Sequence, residues 1–231
     1  MNAPRSTRRS RNLRGFTLIE LMVAIAVMAL LALVSWRGLD GMARAQSQNR
    51  ERGDAVLTLQ STLSQWTADL DAITVLSQTR ALDWDGRVLR LTRRSTDTAQ
   101  PAIYVVAYTQ RADATGISRW YRWQSPALTT RPQWQQAWDG ATAWAQDGGG
   151  SNSGNGLRGT ELGLVPVDNW QLLYFRNDVW GPAVSAEALT TSTQLPDGVR
   201  LVLSLSPGPA LAGLLTRDWV RPTAAVAKTT S

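Results

Sequence analysis

The sequence has 231 residues, of which 24 are basic and 18 acidic, and it contains neither cysteine nor histidine. Without cysteine a chain has no disulfide, thiolate metal site or cysteine nucleophile, and without histidine it lacks the commonest general base and metal ligand. Since Lys228 is the single lysine, the composition argues against catalysis, and we expect neither enzyme activity nor a cofactor.

The excess of positive charge lies in a leader, residues 1–15, which contains no acidic residue. The basic residues of the leader are Arg5, Arg8, Arg9, Arg11 and Arg14. The remainder of the chain has 19 basic and 18 acidic residues and is therefore almost neutral. Because nucleic-acid binding requires a basic surface on the folded domain, we predict no nucleic-acid partner.

An apolar run follows the leader at residues 16–36, and Glu20 is its only charged residue. As a helix this run is about 31 Å long, which is enough to cross the hydrocarbon core of a membrane. The leader arginines favour a cytoplasmic N-terminus, although Arg37, Arg44, Arg50 and Arg52 reduce the asymmetry. We therefore predict one membrane span with the rest of the chain on the far side.

Three simpler interpretations of this run exist: a cleaved secretory signal, a twin-arginine signal and a plain uncleaved anchor. Ala43-Arg44-Ala45 fits a secretory cleavage site, but the run is too long and Arg37 and Asp40 intervene. In TRRSRNL (7–13), Arg11 occupies the place of an apolar residue in the twin-arginine pattern. None of the three gives Glu20 a function.

Glu20 needs a function because a charge inside a membrane helix costs about 2.5–3.5 kcal/mol. Cleavage between Gly15 and Phe16 would create a positively charged amine one helical turn before the carboxylate. Glu20 would then pair with that amine, or with the amine of a neighbouring subunit in a fibre. In the second case the buried charge would fix the register between packed helices.

The basic leader, Gly15, the letters FTLIE (16–20) and the apolar helix resemble the class III signal of type IV pilins and type II secretion pseudopilins. The resemblance implies that a prepilin peptidase, which is also a methyltransferase, cuts after Gly15 and methylates the amine of Phe16. It implies a fibre-assembly function for Glu20. It also implies a bacterial inner-membrane protein with its globular domain in the periplasm. Arg37 stands where many pilins have a helix-kinking proline.

Helical spacing continues beyond the membrane run, and we predict one helix from Phe16 to about Leu76. Its second half has an apolar stripe at steps of three and four residues, and we expect this stripe to lie on a sheet. The stripe consists of Val56, Leu59, Leu63, Trp66, Leu70 and Ile73.

The apolar period then changes to two, which predicts strands. The predicted strands are 86–94, 102–110, 118–124, 169–177, 198–206 and 213–220. One helix followed by many strands predicts an α+β fold, here a pilin-like long helix packed on an antiparallel β-rich domain. The predicted divisions are a removed leader (1–15), a transmembrane half-helix (16–36), an amphipathic half-helix (37–78), a periplasmic β-rich domain (79–220) and a disordered tail (221–231).

Other features of the β-rich domain have two interpretations each. Trp120, Trp134, Trp138 and Trp144 belong either to the core or to a partner surface. The composition of residues 147–159 predicts a flexible loop. Within it, GNGLRG (154–159) fits the glycine pattern of a dinucleotide site, but that site also requires a strand before the pattern and a helix after it, and neither is predicted here.

Asp83 and Asp85 in DWDG (83–86) are candidate calcium ligands. Two carboxylates are too few for a typical shell of six to eight oxygens, and Asp-Gly before a strand is typical of a turn. We therefore predict no metal site.

Five further segments resemble the J-type minor pseudopilins of type II secretion. They are SWRGLDGM (35–42), LQSTLSQWTADL (59–70), RLTRRS (90–95), WYRWQ (120–124) and LPDGVRLVLSL (195–205). The glycine loop at 147–159 and the aromatic stretch before it depart from the family.

The resemblance implies a structural subunit of the pseudopilus, in a tip complex that starts assembly for the export of folded proteins across the outer membrane. The implied partners are I-type and K-type minor pseudopilins, the H-type and major pseudopilins, and exported proteins. Two alternatives remain: a minor pilin at the tip of a type IV pilus, and a membrane-anchored enzyme or binding module.

Overall fold

The structure, a computed structural model, describes residues 16–97, 99–147, 158–183, 195–208 and 211–222. It divides into two compact units, residues 1–50 and residues 51–231. The helices are α1 (Leu18–Asp71) and α2 (Arg131–Asp147). The strands are β1 (Leu82–Trp84), β2 (Val88–Arg94), β3 (Ile103–Ala112), β4 (Ser118–Gln124), β5 (Thr160–Arg176), β6 (Val179–Pro182), β7 (Gly198–Leu205) and β8 (Gly213–Val220).

The described strands form one antiparallel sheet in the order β1-β2-β3-β4-β5-β7-β8, with β6 paired to β5 beside this path. β5 connects two parts of the sheet because its first half pairs with β4 and its second half with β7. The pairing is irregular between Val167 and Asn169. There the side-chain amide of Gln110 donates to the carbonyl oxygens of Val167 and Asp168 at 3.2 and 2.8 Å. These two backbone acceptors therefore have hydrogen-bond partners despite the irregular strand pairing.

One face of the sheet packs against the last part of α1. Leu59, Trp66 and Leu70 of the predicted apolar stripe are buried, and Leu63 and Ile73 are partly buried against the same cluster. Trp66 lies at the centre, with its ring centroid 5.0 Å from that of Tyr108 and 5.5 Å from that of Trp120. The predicted packing of the long helix on a sheet is thus observed for its last part, from Leu59 onward, whereas the side chains from Arg37 to Asp54 are exposed.

The opposite face of β2, β3 and β4 packs against α2. Alternate residues of β3 show the two faces, because Val106 and Tyr108 belong to the α1 cluster and Val105 and Ala107 to the α2 cluster. α2 begins with a capping box, in which the backbone N–H of Gln133 donates to the Thr130 hydroxyl and that of Thr130 to the Gln133 side chain.

A buried carboxylate, Asp69, joins the end of α1 to three neighbouring strands. Its side chain is 0% exposed. Arg122 of β4 donates to both oxygens of Asp69 at 2.6 and 3.0 Å. Arg93 of β2 makes a second ion pair with it, and the hydroxyl of Tyr108 on β3 donates at 2.6 Å. We call these four residues, Asp69, Arg93, Tyr108 and Arg122, the Asp69 cluster.

Burial and the neighbouring charges shift the pKa values of two donors in the Asp69 cluster, Tyr108 and Arg122. Burial, followed by the negative charge of Asp69, raises the pKa of Tyr108 well above its usual value. Burial by itself lowers the pKa of Arg122, but the hydrogen bonds and charge of Asp69 outweigh it, and the pKa is raised overall. Both shifts favour the protonated forms of Tyr108 and Arg122, which donate to Asp69.

A second carboxylate two residues later joins α1 to the far edge of the sheet. The indole N–H of Trp219, on edge strand β8, donates to Asp71 at 2.7 Å. The backbone then leaves the helix and joins β2, where Thr74 N–H donates to the Thr92 carbonyl at 3.0 Å and Ile73 forms a bridge with Arg93. This pairing explains why the helix ends at Asp71 and not near Leu76 as predicted.

The structure confirms the α+β class and corrects several predicted elements. Each of the six predicted strands overlaps an observed one, and Val199, Leu201, Leu203 and Leu205 are all buried on one face of β7. The segment predicted to start at 169 is the second part of a strand that begins at Thr160. The prediction missed α2 and the short strands β1 and β6. The predicted tail lies outside the described residues from 223 onward.

Replacing Asp69 with asparagine is expected to lower the free energy of unfolding by about 3–5 kcal/mol. The substitution leaves Arg93 and Arg122 buried without their counter-charge, which is far more costly than losing an exposed pair. The measurement is urea unfolding of the full-length chain in detergent, followed by the near-ultraviolet circular dichroism of its tryptophans.

The matched control is Asp218→Asn, because Arg200 also contacts Asp218 with two bonds, of 2.6 and 2.7 Å, but at an exposed site. This control is expected to cost less than about 1 kcal/mol. An unchanged midpoint for Asp69→Asn would show that the Asp69 cluster contributes no net stability.

Candidate functional site

Helix α1 begins directly after the predicted cleavage point. Phe16 is 90% exposed and precedes a reciprocal cap formed by Thr17 and Glu20. The backbone N–H and the hydroxyl of Thr17 both donate to Oε2 of Glu20 at 3.0 Å. In return the Thr17 hydroxyl accepts from the backbone N–H of Glu20 at 3.3 Å. This arrangement is a capping box, with Thr17 at the N-cap and Glu20 three residues later.

The capping box gives Glu20 a chemical function that does not need a second chain. The first backbone N–H groups of a helix have no partner within it, and hydrocarbon supplies no water to satisfy them. The Thr17 and Glu20 side chains accept from two of these groups, and the carboxylate also complements the positive end of the helix dipole. A Thr-x-x-Glu signature at a helix start is recognisable in a sequence, so this function was predictable from residues 17–20.

The predicted pairing of Glu20 with an amine is a separate matter and stays a prediction. Both hydrogen bonds from Thr17 end on Oε2, so the cap does not use Oε1. Gly15 and the five leader arginines lie outside the described residues. Phe16, the predicted methylation site, lies one residue before the cap, so a new amine there would be close to Glu20 in sequence.

The helix that follows is long and apolar enough to cross a membrane. Every side chain from Phe16 to Asp54 is exposed, so residues 16–36 present apolar side chains on all sides of the helix. A helix that is apolar all round needs an apolar environment. The predicted transmembrane function of this segment is consistent with that requirement.

The four tryptophans with two interpretations in the sequence belong to the core of the chain. Trp120 lies in the cluster that packs against α1, while Trp134, Trp138 and Trp144 lie on α2 and pack against β2, β3 and β4. All four are less than 9% exposed. The interpretation of these residues as a partner surface is therefore wrong.

The C-terminal end of α2 is fastened to the sheet by a charged group. The indole N–H of Trp144 donates to Glu161 of β5 at 2.5 Å, and Glu161 also pairs with Arg111 of β3. The Arg111 guanidinium lies 4.2 Å from the ring centroid of Tyr121 and 5.0 Å from that of Trp144. Trp144 precedes the glycine-rich segment and Glu161 follows it, so these contacts join the end of α2 to the start of β5.

The glycine-rich segment itself lies mostly outside the described residues, which omit 148–157. Helix α2 precedes it and strand β5 follows it. A dinucleotide site would need the reverse order, with a strand first and a helix after.

The two candidate calcium ligands have protein partners. Asp83 is buried and accepts from Arg90 at 2.5 Å, while Arg90 also donates to Thr142 of α2 at 2.5 Å. One oxygen of Asp85 accepts from the backbone N–H groups of Arg87 and Val88 at 2.9 and 2.8 Å, which closes the turn before β2. Among the described residues no group of three or more acidic side chains is arranged to hold a metal ion.

Comparison with known proteins identifies the N-terminal feature. Residues 10–36 match the family model described as the prokaryotic N-terminal methylation motif. This match spans the predicted cleavage point, the capping box and the apolar run.

Two individual proteins are similar to the chain. The type II secretion system protein J of Klebsiella pneumoniae is 35% identical over 63 residues, which are 27% of this chain and 32% of that protein. The match thus spans about a third of the length of this relative. A solved structure, the GspK-GspI-GspJ complex from the type 2 secretion system of enterotoxigenic Escherichia coli, contains a chain that is 16% identical to this one. The alignment covers 74% of this chain and 99% of that chain, with a TM-score of 0.47.

The methylation motif and the Klebsiella relative agree with the resemblance that the sequence predicted. The class III signal is confirmed by the methylation motif, and the J-type resemblance by the Klebsiella relative. The chain carries the N-terminal methylation motif of prepilin-like proteins and resembles the J-type minor pseudopilins of type II secretion.

Proposed function

We propose that this chain is a J-type minor pseudopilin, a structural subunit of a type II secretion pseudopilus. In this function it helps to form the tip complex that starts pseudopilus assembly for the export of folded proteins across the outer membrane. The observation that carries the proposal is the methylation motif at residues 10–36, within which Thr17 and Glu20 cap the apolar helix. The similarity to a type II secretion protein J supports secretion over a pilus.

The proposal gives each part of the chain a physical function. The prepilin peptidase cuts between Gly15 and Phe16 and methylates the new amine. Residues 16–36 hold the subunit in the inner membrane, with the removed leader on the cytoplasmic side, and later pack in the fibre. Residues 51–222, in the periplasm, select the neighbouring I-type, K-type, H-type and major subunits. The function is structural and needs no catalytic group or cofactor.

Two substitutions separate the cap from the charge at the helix start. Glu20→Gln keeps an acceptor for the capping box but removes the negative charge, and Thr17→Ala keeps the charge but removes the capping hydroxyl. If Glu20 neutralises the amine of Phe16, Glu20→Gln should be cut and methylated normally yet fail to support secretion. Thr17→Ala should lose only about 1 kcal/mol of helix stability and should retain secretion.

The measurement is complementation of a deletion strain, with secreted enzyme activity as the readout and N-terminal mass analysis of Phe16 as the control for processing. Full secretion with Glu20→Gln and loss of secretion with Thr17→Ala would show that the carboxylate serves only as a helix cap.

Deletion of the gene distinguishes the secretion function from its alternatives. We expect exported folded enzymes to accumulate in the periplasm, because assembly would lack its starting complex, while twitching motility is unchanged. Both phenotypes are scored in parallel, and the restored wild-type gene is the control. Loss of twitching with normal secretion would move the protein to a type IV pilus, and no change in either would contradict both functions.

A further inference from the structure

A free arginine lies at the end of the apolar run of α1. Residues 16–36 contain Glu20 as their only charge, and the next residue is Arg37. Trp36, directly before it, is 75% exposed. Tryptophan is enriched at the boundary between hydrocarbon and headgroups, and arginine extends its aliphatic stem to place its charge there. The pair Trp36-Arg37 therefore lies where a 21-residue span would leave the hydrocarbon.

The nearest carboxylate on the helix is occupied by another arginine. Asp40 lies three residues after Arg37 and four before Arg44, and its Oδ2 accepts from Arg44 at 2.7 Å. An acidic residue four positions before a basic one has the favoured orientation for a helical ion pair. No described carboxylate pairs with Arg37, so its guanidinium is available to an external anion.

We propose that Arg37 binds the phosphate of a phospholipid headgroup and so fixes the depth at which the helix is held in the bilayer. A guanidinium presents several N–H donors in a plane that matches phosphate oxygens, and such charge-assisted bonds are strong. The headgroup layer contains phosphates at the depth where Trp36 is expected to lie. Both the charge and the position of Arg37 therefore suit a phosphate ligand. The inference rests on the membrane anchoring in the proposed function and adds a lipid partner to it.

The arginines further along the helix do not share this position. Arg50 lies 13 residues beyond Arg37, which is about 20 Å of helix and beyond the reach of the same headgroups. Substitution of Arg50 changes the net charge of the chain by the same amount and is therefore a matched control.

The test measures depth in vesicles with the full-length chain. Because the sequence has no cysteine, Leu39→Cys gives a single site for a fluorescent label, whose depth is read by quenching with lipids brominated at different positions. Vesicles of phosphatidylcholine are compared with vesicles of an uncharged galactolipid, which has no phosphate. The three chains are the parent, R37Q and R50Q, each carrying Leu39→Cys.

The expected result is a depth difference between the two lipids that depends on Arg37. The label should shift by about 3 Å, the rise of two helical residues, in the parent and in R50Q, and by clearly less in R37Q. Equal shifts in all three chains would overturn the proposal, because the lipid effect would then come from bilayer thickness or from hydration of the charge.

A separate label distinguishes failure of this proposal from failure of the proposed function. Leu30→Cys lies inside the apolar run, and in an inserted helix it should not react with a water-soluble maleimide. Reaction of Leu30→Cys in phosphatidylcholine vesicles would overturn the membrane anchoring itself, and the lipid-binding proposal with it. Protection of Leu30→Cys with equal shifts at Leu39→Cys would overturn only the proposal for Arg37.

Discussion

The folded domain depends on the burial of Asp69 between two arginines. Hydrophobic contacts such as those of Trp66 hold α1 against the sheet but are not directional. The carboxylate of Asp69 is directional, because it must meet Arg93, Tyr108 and Arg122 at the same time. A helix turned or shifted by one residue would leave these buried charges unmatched, at a cost of several kcal/mol. The ion cluster therefore sets one register for α1 on β2, β3 and β4.

The Asp69 cluster connects three of the segments that resemble J-type minor pseudopilins. LQSTLSQWTADL (59–70) contains Asp69, RLTRRS (90–95) contains Arg93 and WYRWQ (120–124) contains Arg122. In the sequence Arg93 lies 24 positions after Asp69, and Arg122 lies 53 positions after it. Their spacing in the sequence does not show that the three side chains meet. Contacts between residues so far apart depend on the strand order of the folded sheet. The cluster was therefore not predictable from this sequence, although the segments that form it were identified.

Local patterns predicted other parts of the fold to different extents. The alternation of Val199, Leu201 and Leu203 predicted β7 because one face of that strand is buried and the period of two is visible in the letters. Helix α2 was missed although its buried residues, such as Trp134, Trp138 and Ala141, have helical spacing. Its Thr130-x-x-Gln133 cap was a further signal, as was Thr17-x-x-Glu20 at α1. Neither cap was predicted, although both signatures are local in the sequence.

Glu20 and Asp69 meet the same constraint in different ways, and the difference bears on assembly. Asp69 is buried, and Glu20 would be surrounded by hydrocarbon in the proposed membrane span; in both places an unpaired charge is costly. Asp69 has two guanidinium groups within its own domain, so it needs nothing from outside. Among the described residues Glu20 has only the neutral donors of Thr17, which satisfy hydrogen bonds but supply no positive charge. In the proposed function, an amine at Phe16 would supply the positive charge that Glu20 lacks among the described residues.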